Sequence, residues 1–471
     1  MTKRLGSTSG ATLLAAAVLV GGPAALQACG SGGEDGTTPA VASSSSSPTA
    51  TVSATTPPPI DGGHDATADA FTPTGAPGTP DTSFGGTGVV SRTSAWGDSG
   101  TRAAAPHGLV IDSHHRIVIV GEDGAGYHQA AAWRVDETGQ FDSTFGMSGE
   151  WVNDTAGAVL GLANAVCVDA DDRPVLTGED GTGNGGTVMA TWRLTASGSR
   201  DATFNGTGSL TRGTPATVPE RPRGNAIVCA PNGDILVGGA IDARMAVWRF
   251  SSAGVSDTAG FASPAGFIAP PVPSALTGHS AVVSALLLDP AARILVGVDI
   301  YTEHDVLRLS GAGAVDPTWA SSGTWTAPVD AYSVSALARD AAGRILVAGS
   351  IQSNVGYVSR LSPDGAIDAS FGTSGRAAIP GALAVAAMTL DSKGRIVIGG
   401  QSGTGASAQI GVARLTEDGA PDLAFGAAGA AVTQDLGMGY FPARALAVDR
   451  FDRPVLATKS ADGIRVARFN P

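Results

Sequence analysis

Arginine and aspartate recur along this sequence at spacings that build either ion pairs or a repeated ligand site. Arg134, Arg193, Arg249, Arg308, Arg360 and Arg414 each stand eight residues before Asp142, Asp201, Asp257, Asp316, Asp368 and Asp422. The interval is constant although the segments between successive pairs vary in length. A fixed interval between opposite charges suggests a charge-assisted hydrogen bond across one strand connection. Arg468 lacks a downstream aspartate, and Asp81 lacks an upstream arginine. These two complete each other if the ends of the chain meet. A site used once per molecule need not recur in every repeat, so the pairs are read as structural.

Other chemistry is sparse. The histidines do not recur and form no H-E-x-x-H pattern, and no G-x-S-x-G elbow occurs. Calcium needs clustered oxygen ligands. Asp169-Ala170-Asp171-Asp172 and the GEDG segments at 121–124 and 178–181 come nearest, but each is short of ligands alone. No metal and no cofactor is implied. Paired carboxylates for glycoside chemistry converge only in three dimensions, so the sequence leaves them open. Trp133, Trp192 and Trp248 hold one equivalent strand position in three repeats, which favours packing over a sugar-stacking platform.

The elements that position these residues come in three recurring motifs. D-x-[ST]-[FW] begins at Asp81, Asp142, Asp201, Asp316 and Asp368, with variant copies at Asp257 and Asp422. A second motif is an apolar run, a tight turn and another apolar run. Its turn carries Asp112/Arg116, Asp169/Arg173, Asp289/Arg293, Asp340/Arg344, Asp391/Arg395 and Asp449/Arg453, while the third repeat has Ala230/Asp234 around Pro231-Asn232-Gly233. Such pairs of runs read as hairpins. The third motif is a short strand ending in one of the seven arginines. About four strands per unit and seven units predict an all-β, seven-bladed propeller over 79–471. A β-solenoid is the alternative, with coils that are usually shorter. The orphan pair further predicts that a strand within 81–92 closes the last blade beside 464–469.

D-x-[ST]-F-G, D-x-x-G-[RK]-[IV]-[LV]-[VI]-G-G and V-A-R-L together resemble the bacterial delta-60 repeat family, across essentially all of 79–471. The resemblance implies a propeller-like β fold in an exported protein and carries over no catalytic residues.

Residues 1–28 read as an export signal: Lys3 and Arg4, an apolar core from Ala11 to Val20, and Ala28 before Cys29. The apolar run is too short to span a bilayer stably. Ala28-Cys29 resembles the lipobox of bacterial lipoproteins, which implies diacylglycerol on the Cys29 thiol, usually a further acyl chain such as palmitate on its amino group, and a membrane partner. Gly30 rather than aspartate after Cys29 implies, by the same resemblance, the outer membrane of the cell envelope. Residues 29–78 are rich in Ser, Thr, Pro and Gly and read as a disordered tether.

The formal net charge of −13 disfavours nucleic acid and anionic lipid headgroups. Cys167 and Cys229 lie on corresponding strands, offset by one position, so they point to opposite blade faces. In adjacent blades such thiols either face each other or point apart, and an exported protein permits a disulfide. A binding site belongs at the axial mouth, where irregular loops place Trp96, His107, Arg221, Arg223, His279, Tyr301, Tyr332 and Tyr440. The sequence thus favours a monomeric, tethered, non-enzymatic binding or scaffold propeller with a protein or glycan ligand. A hydrolase or lyase acting on extracellular polysaccharide, and a structural part of an envelope assembly, are the alternatives.

Overall fold

The computed structural model describes residues 72–471 apart from 94–103, 124–127, 154–160, 183–185, 217–221, 242–243, 270–280, 301–302, 329, 352–354, 404–408, 434–444 and 461–462. Residues 1–71, which include Cys29 and most of the segments read as export signal and tether, lie outside the described residues, as do Trp96, Arg221, His279, Tyr301 and Tyr440. Among the described residues no helix is long and apolar enough to cross a membrane.

The described strands form seven four-stranded antiparallel sheets. Blades 1 to 6 span 105–152, 162–216, 223–268, 281–326, 336–378 and 384–433, each a meander from inner to outer strand. Blade 7 is composite. Ala445–Val448, Pro454–Lys459 and Gly463–Arg468 supply three strands, and Val89–Thr93 adds the outer one. Its register sets Val90 opposite Val466 and Arg92 opposite Ile464. The inner strands of successive blades touch, and that of blade 7 returns to that of blade 1. The ring is therefore closed, which a solenoid is not.

Alternation explains the packing. Along Ile117–Asp123, Ile119 packs toward blade 7 while Val120 packs toward blade 2. Trp133, Trp192 and Trp248 are almost fully buried between blades. Inner strands carry a bulge near their start, as between Pro106 and Gly108 and between Ala163 and Ala165. In blades 1 and 2 a carbonyl at this point lies against the second strand and leaves room only for glycine, whereas blade 4 has Val298 at the equivalent place. A Cβ on Gly121 would lie 1.9 Å from the Ala105 oxygen, and one on Gly178 would lie 1.8 Å from that of Leu162.

Residues 76–81 and 469–471 join inside a turn. In blade 6, Thr416 N–H donates to the Ala420 carbonyl and Gly419 N–H donates to that of Thr416. The same two bonds recur as Asn470 N–H to the Thr79 carbonyl, 2.8 Å, and Gly78 N–H to that of Asn470, 2.9 Å. Residues 469–471 thus supply the first half of one repeat turn, and 76–81 the second half. Contacts of the body therefore begin a few residues before 79. The Pro- and Thr-rich composition of this segment hides its likeness to Gly419-Ala420-Pro421-Asp422.

Candidate functional site

At the hairpin-turn edge of the ring the repeated arginines follow a four-part plan, complete in five of the seven: alanine replaces the hydroxyl residue two places after Asp257 and Asp422, and Arg414 Nη1 makes no hydrogen bond among the described residues. In each, Nε donates to the paired aspartate: Arg134 to Asp142 at 2.8 Å, Arg193 to Asp201 at 2.8 Å, Arg249 to Asp257 at 2.9 Å and Arg308 to Asp316 at 2.9 Å. Arg360 to Asp368 follows at 2.8 Å, Arg414 to Asp422 at 2.7 Å, and Arg468 to Asp81 at 2.8 Å across the two chain ends. The motif's hydroxyl bonds the same carboxylate, as Thr144 does to Asp142 at 2.6 Å. The motif's aromatic lies beneath the guanidinium, from 4.4 Å for Arg414 over Phe425 to 5.7 Å for Arg308 over Trp319. Finally, Nη1 donates to a turn carbonyl of the next blade, as Arg360 does to Glu417 at 2.6 Å. Burial opposes the Asp142 charge, but the Thr144 and Arg134 bonds outweigh it and hold this carboxyl below its ordinary range.

The hairpin pairs are equally closed. Arg116 Nε donates to Asp112 at 2.6 Å, and the Asp112 carboxylate also caps the Arg116 N–H at 2.9 Å. In the third repeat the backbone preserves the turn: Ala230 N–H donates to the Asp234 carbonyl at 2.8 Å. These polar groups are committed to the fold. The aromatic under each arginine is a role that the interval argument overlooked, although D-x-[ST]-[FW] contains its signal.

The opposite edge, where strands two and three join, is irregular. At the first bulge stands His107, half-buried; at its counterparts stand Asn164, Asn225 and Ser284. Asn164 Nδ2 donates to the Gly224 carbonyl at 2.9 Å, Asn225 Nδ2 to Val283 at 3.1 Å, and Ser284 Oγ to Val334 at 2.5 Å. Each side chain thus clips its blade to the next.

The end of the second strand carries Glu122 and Asp123 in blade 1, Glu179 and Asp180 in blade 2, and Asp299 in blade 4. Glu122 pairs with His128 across the hairpin. Burial alone would raise the Glu122 carboxyl, but the His128 bond and the charges of His107, His128 and Lys459 keep it below its usual value. Burial pushes Asp180 up despite a 3.2 Å bond from Asn153. Asp299 accepts from His304 at 2.9 Å and from Val334 N–H at 2.8 Å. Burial, followed by hydrogen bonding and repulsion from Asp123, pushes Glu150 up to about 7. The GEDG segments therefore hold a histidine pair and carboxyl contacts, and no group of three or more metal-ligating side chains occurs among the described residues.

Of the loop residues expected at this mouth, three are described. Tyr332 is exposed, and its N–H donates to the Ser350 carbonyl at 2.7 Å. His107 and Arg223 are half-buried on inner-strand starts. The described positions do not bring these three into one cluster. The thiols of Cys167 and Cys229 face each other and are joined, with Cα atoms 5.7 Å apart, tying the inner strands of blades 2 and 3.

This architecture defines the class: a seven-bladed β-propeller with four antiparallel strands per blade. A family model described as "Domain of unknown function (DUF5122) beta-propeller" matches residues 170–204, 343–371 and 394–425. No curated protein matches the chain significantly. Among solved structures, virginiamycin B lyase from Staphylococcus aureus is 12% identical, covering 81% of this chain and 99% of its own, with TM-score 0.48. A gluconolactonase from Xanthomonas campestris is 16% identical, covering 64% and 84%, with TM-score 0.36. Sqt1 of Chaetomium thermophilum, bound to the N-terminus of a ribosomal protein, is 10% identical, covering 79% and 98%, with TM-score 0.44.

Proposed function

We propose that the protein is an exported, lipid-anchored, non-enzymatic propeller that binds a polar protein or glycan ligand at the irregular axial mouth. One observation carries this reading. The charges repeated in every blade are consumed by fold-forming pairs at one edge, whereas charged and titratable groups outside that pattern lie at the other: His107, Glu122 and His128 in blade 1, Arg223 in blade 3 and Asp299 in blade 4. Irregular polar groups at loop-bearing edges are where binding resides.

Glycan-array binding of the soluble body, read beside reducing-sugar release, tests the site. Saturable binding that falls about tenfold in a His107→Ala, Tyr332→Ala double variant, without sugar release, is the expected result. Sugar release would make the protein a hydrolase or lyase. Binding to neither glycans nor envelope proteins would remove the reading.

The anchor has its own test. Cys29→Ser should move the protein from the detergent phase to the aqueous phase and abolish incorporation of labelled palmitate, because stable anchoring needs more than one acyl chain. An unchanged partition would exclude Cys29 as the lipid site.

A further inference from the structure

The seam between blade 7 and blade 1 differs in kind from a comparable seam elsewhere in the ring. In blade 3 the last residue of the second strand is Ile241, and the outer strand places Phe267 beside Trp248, with ring centroids 6.2 Å apart. Blade 1 has Asp123 and Glu150 at the same two positions, with Trp133 in the place of Trp248. An apolar pair has been replaced by two carboxyls. Their fractional exposures are 3% and 4%. After burial itself, Asp123 is the neighbour that most disfavours the Glu150 charge, and two carboxyls buried this close are relieved when one of them keeps a proton.

The pair also holds the closing strand. Arg92, on Val89–Thr93, faces Ile464 in the last blade. Its Nη2 donates to Glu150 Oε2 at 3.1 Å and its Nη1 to the Ser148 carbonyl at 2.6 Å. Its guanidinium lies 5.2 Å over Phe141. Trp133 Nε1 donates to the other Glu150 oxygen at 3.0 Å. Glu150 is thus fixed by an indole and by a guanidinium of the last blade. Further charged and titratable groups around this end of the seam are Lys459 and Arg465 of blade 7, and Glu122, His107 and His128 of blade 1.

We infer that Asp123 and Glu150 form a proton-operated latch on the closing seam of the propeller, shut when one proton is shared between them and loosened when that proton leaves. Release gives two buried carboxylates repelling each other where Arg92 can answer only one. The sign follows from linkage. Glu150 binds its proton more tightly folded than unfolded, so its contribution is complete below its ordinary pKa and is lost as pH rises through about 7. The latch does not depend on what the mouth binds.

Thermal melts and hydrogen exchange of the folded body between pH 5.5 and 8.5 test it. The wild-type midpoint should fall by about 3–5 °C over that range beyond any histidine background, and exchange in Val89–Thr93 and Gly463–Arg468 should quicken about tenfold. Glu150→Gln keeps a donor toward Asp123 and should flatten this component in both readouts. Asp123→Asn supplies a donor to ionised Glu150 and should flatten it as well, which covers the case in which Glu150→Gln does not fold. A pH dependence unchanged in either variant would overturn the latch, as would exchange that quickens equally in all blades.

Discussion

Replacing Asp81 by alanine should destabilise the propeller by about 3–5 kcal/mol, the range for removing one partner of a buried ion pair. Asp81 is fully buried. It accepts from Arg468 Nε at 2.8 Å, Arg453 Nη1 at 3.2 Å, Ser83 Oγ at 2.7 Å and Thr74 Oγ1 at 3.0 Å. Its removal leaves two nearly buried guanidiniums without this carboxylate. The same substitution at Asp316 should cost only about 1–2 kcal/mol. The Asp316 side chain is 17% exposed, and its partner Arg308 belongs to the same continuous repeat. Chemical denaturation of the two variants checks the contrast, and equal losses would show that chain closure adds nothing. Burial opposes the Asp81 charge, but the Ser83, Arg468 and Thr74 contacts lower its pKa below 3.8 overall. Its contribution is therefore present above the ordinary aspartate range and is lost as pH falls through the depressed folded value.

The Cys167–Cys229 link gives the second large effect. The cysteines are 62 residues apart in sequence, and the bond joins the inner strands of two successive blades. Loop-closure entropy for a cross-link of this span is about 4 kcal/mol, a model-dependent ceiling. Cys167 and Cys229 already pack with Ile227, Trp248 and other apolar residues of the same interface, so the folded blades should survive without the bond. Reduction, or the Cys167→Ser, Cys229→Ser double variant, should lower the melting midpoint while leaving the circular dichroism spectrum at 25 °C unchanged. A midpoint insensitive to reductant would show that the link does not restrain the unfolded chain.

Much of the fold is legible because periodic structure imposes periodic sequence. The eight-residue Arg–Asp interval survives every insertion because both residues flank one short strand connection. The orphans Asp81 and Arg468 even indicate where the ring closes. Less legible is what depends on convergence between segments. Asp123 and Glu150 are distant in sequence and sit on the second and outer strands of blade 1, with the third strand between them. The hint is a pair of acids where blade 3 has Ile241 and Phe267. For the cysteines, alternation along a strand leaves two arrangements, and the stacking sense of the blades selects the facing one. At the mouth, His107 sits in an inner-strand bulge and Arg223 at the start of a paired inner strand, but loop composition alone does not bring them together.

The central claim is that residues 72–93 and the last blade build one repeat between them, and deletion of 72–93 tests it most directly. Removing that segment strips the outer strand from Gly463–Arg468 and the aspartate from Arg468. Hydrogen exchange should then lose protection throughout Gly463–Arg468 and Pro454–Lys459, with a melting midpoint lowered by at least about 5 °C. A truncated body that melts cooperatively at the wild-type temperature, with blade 7 still protected, would contradict the account.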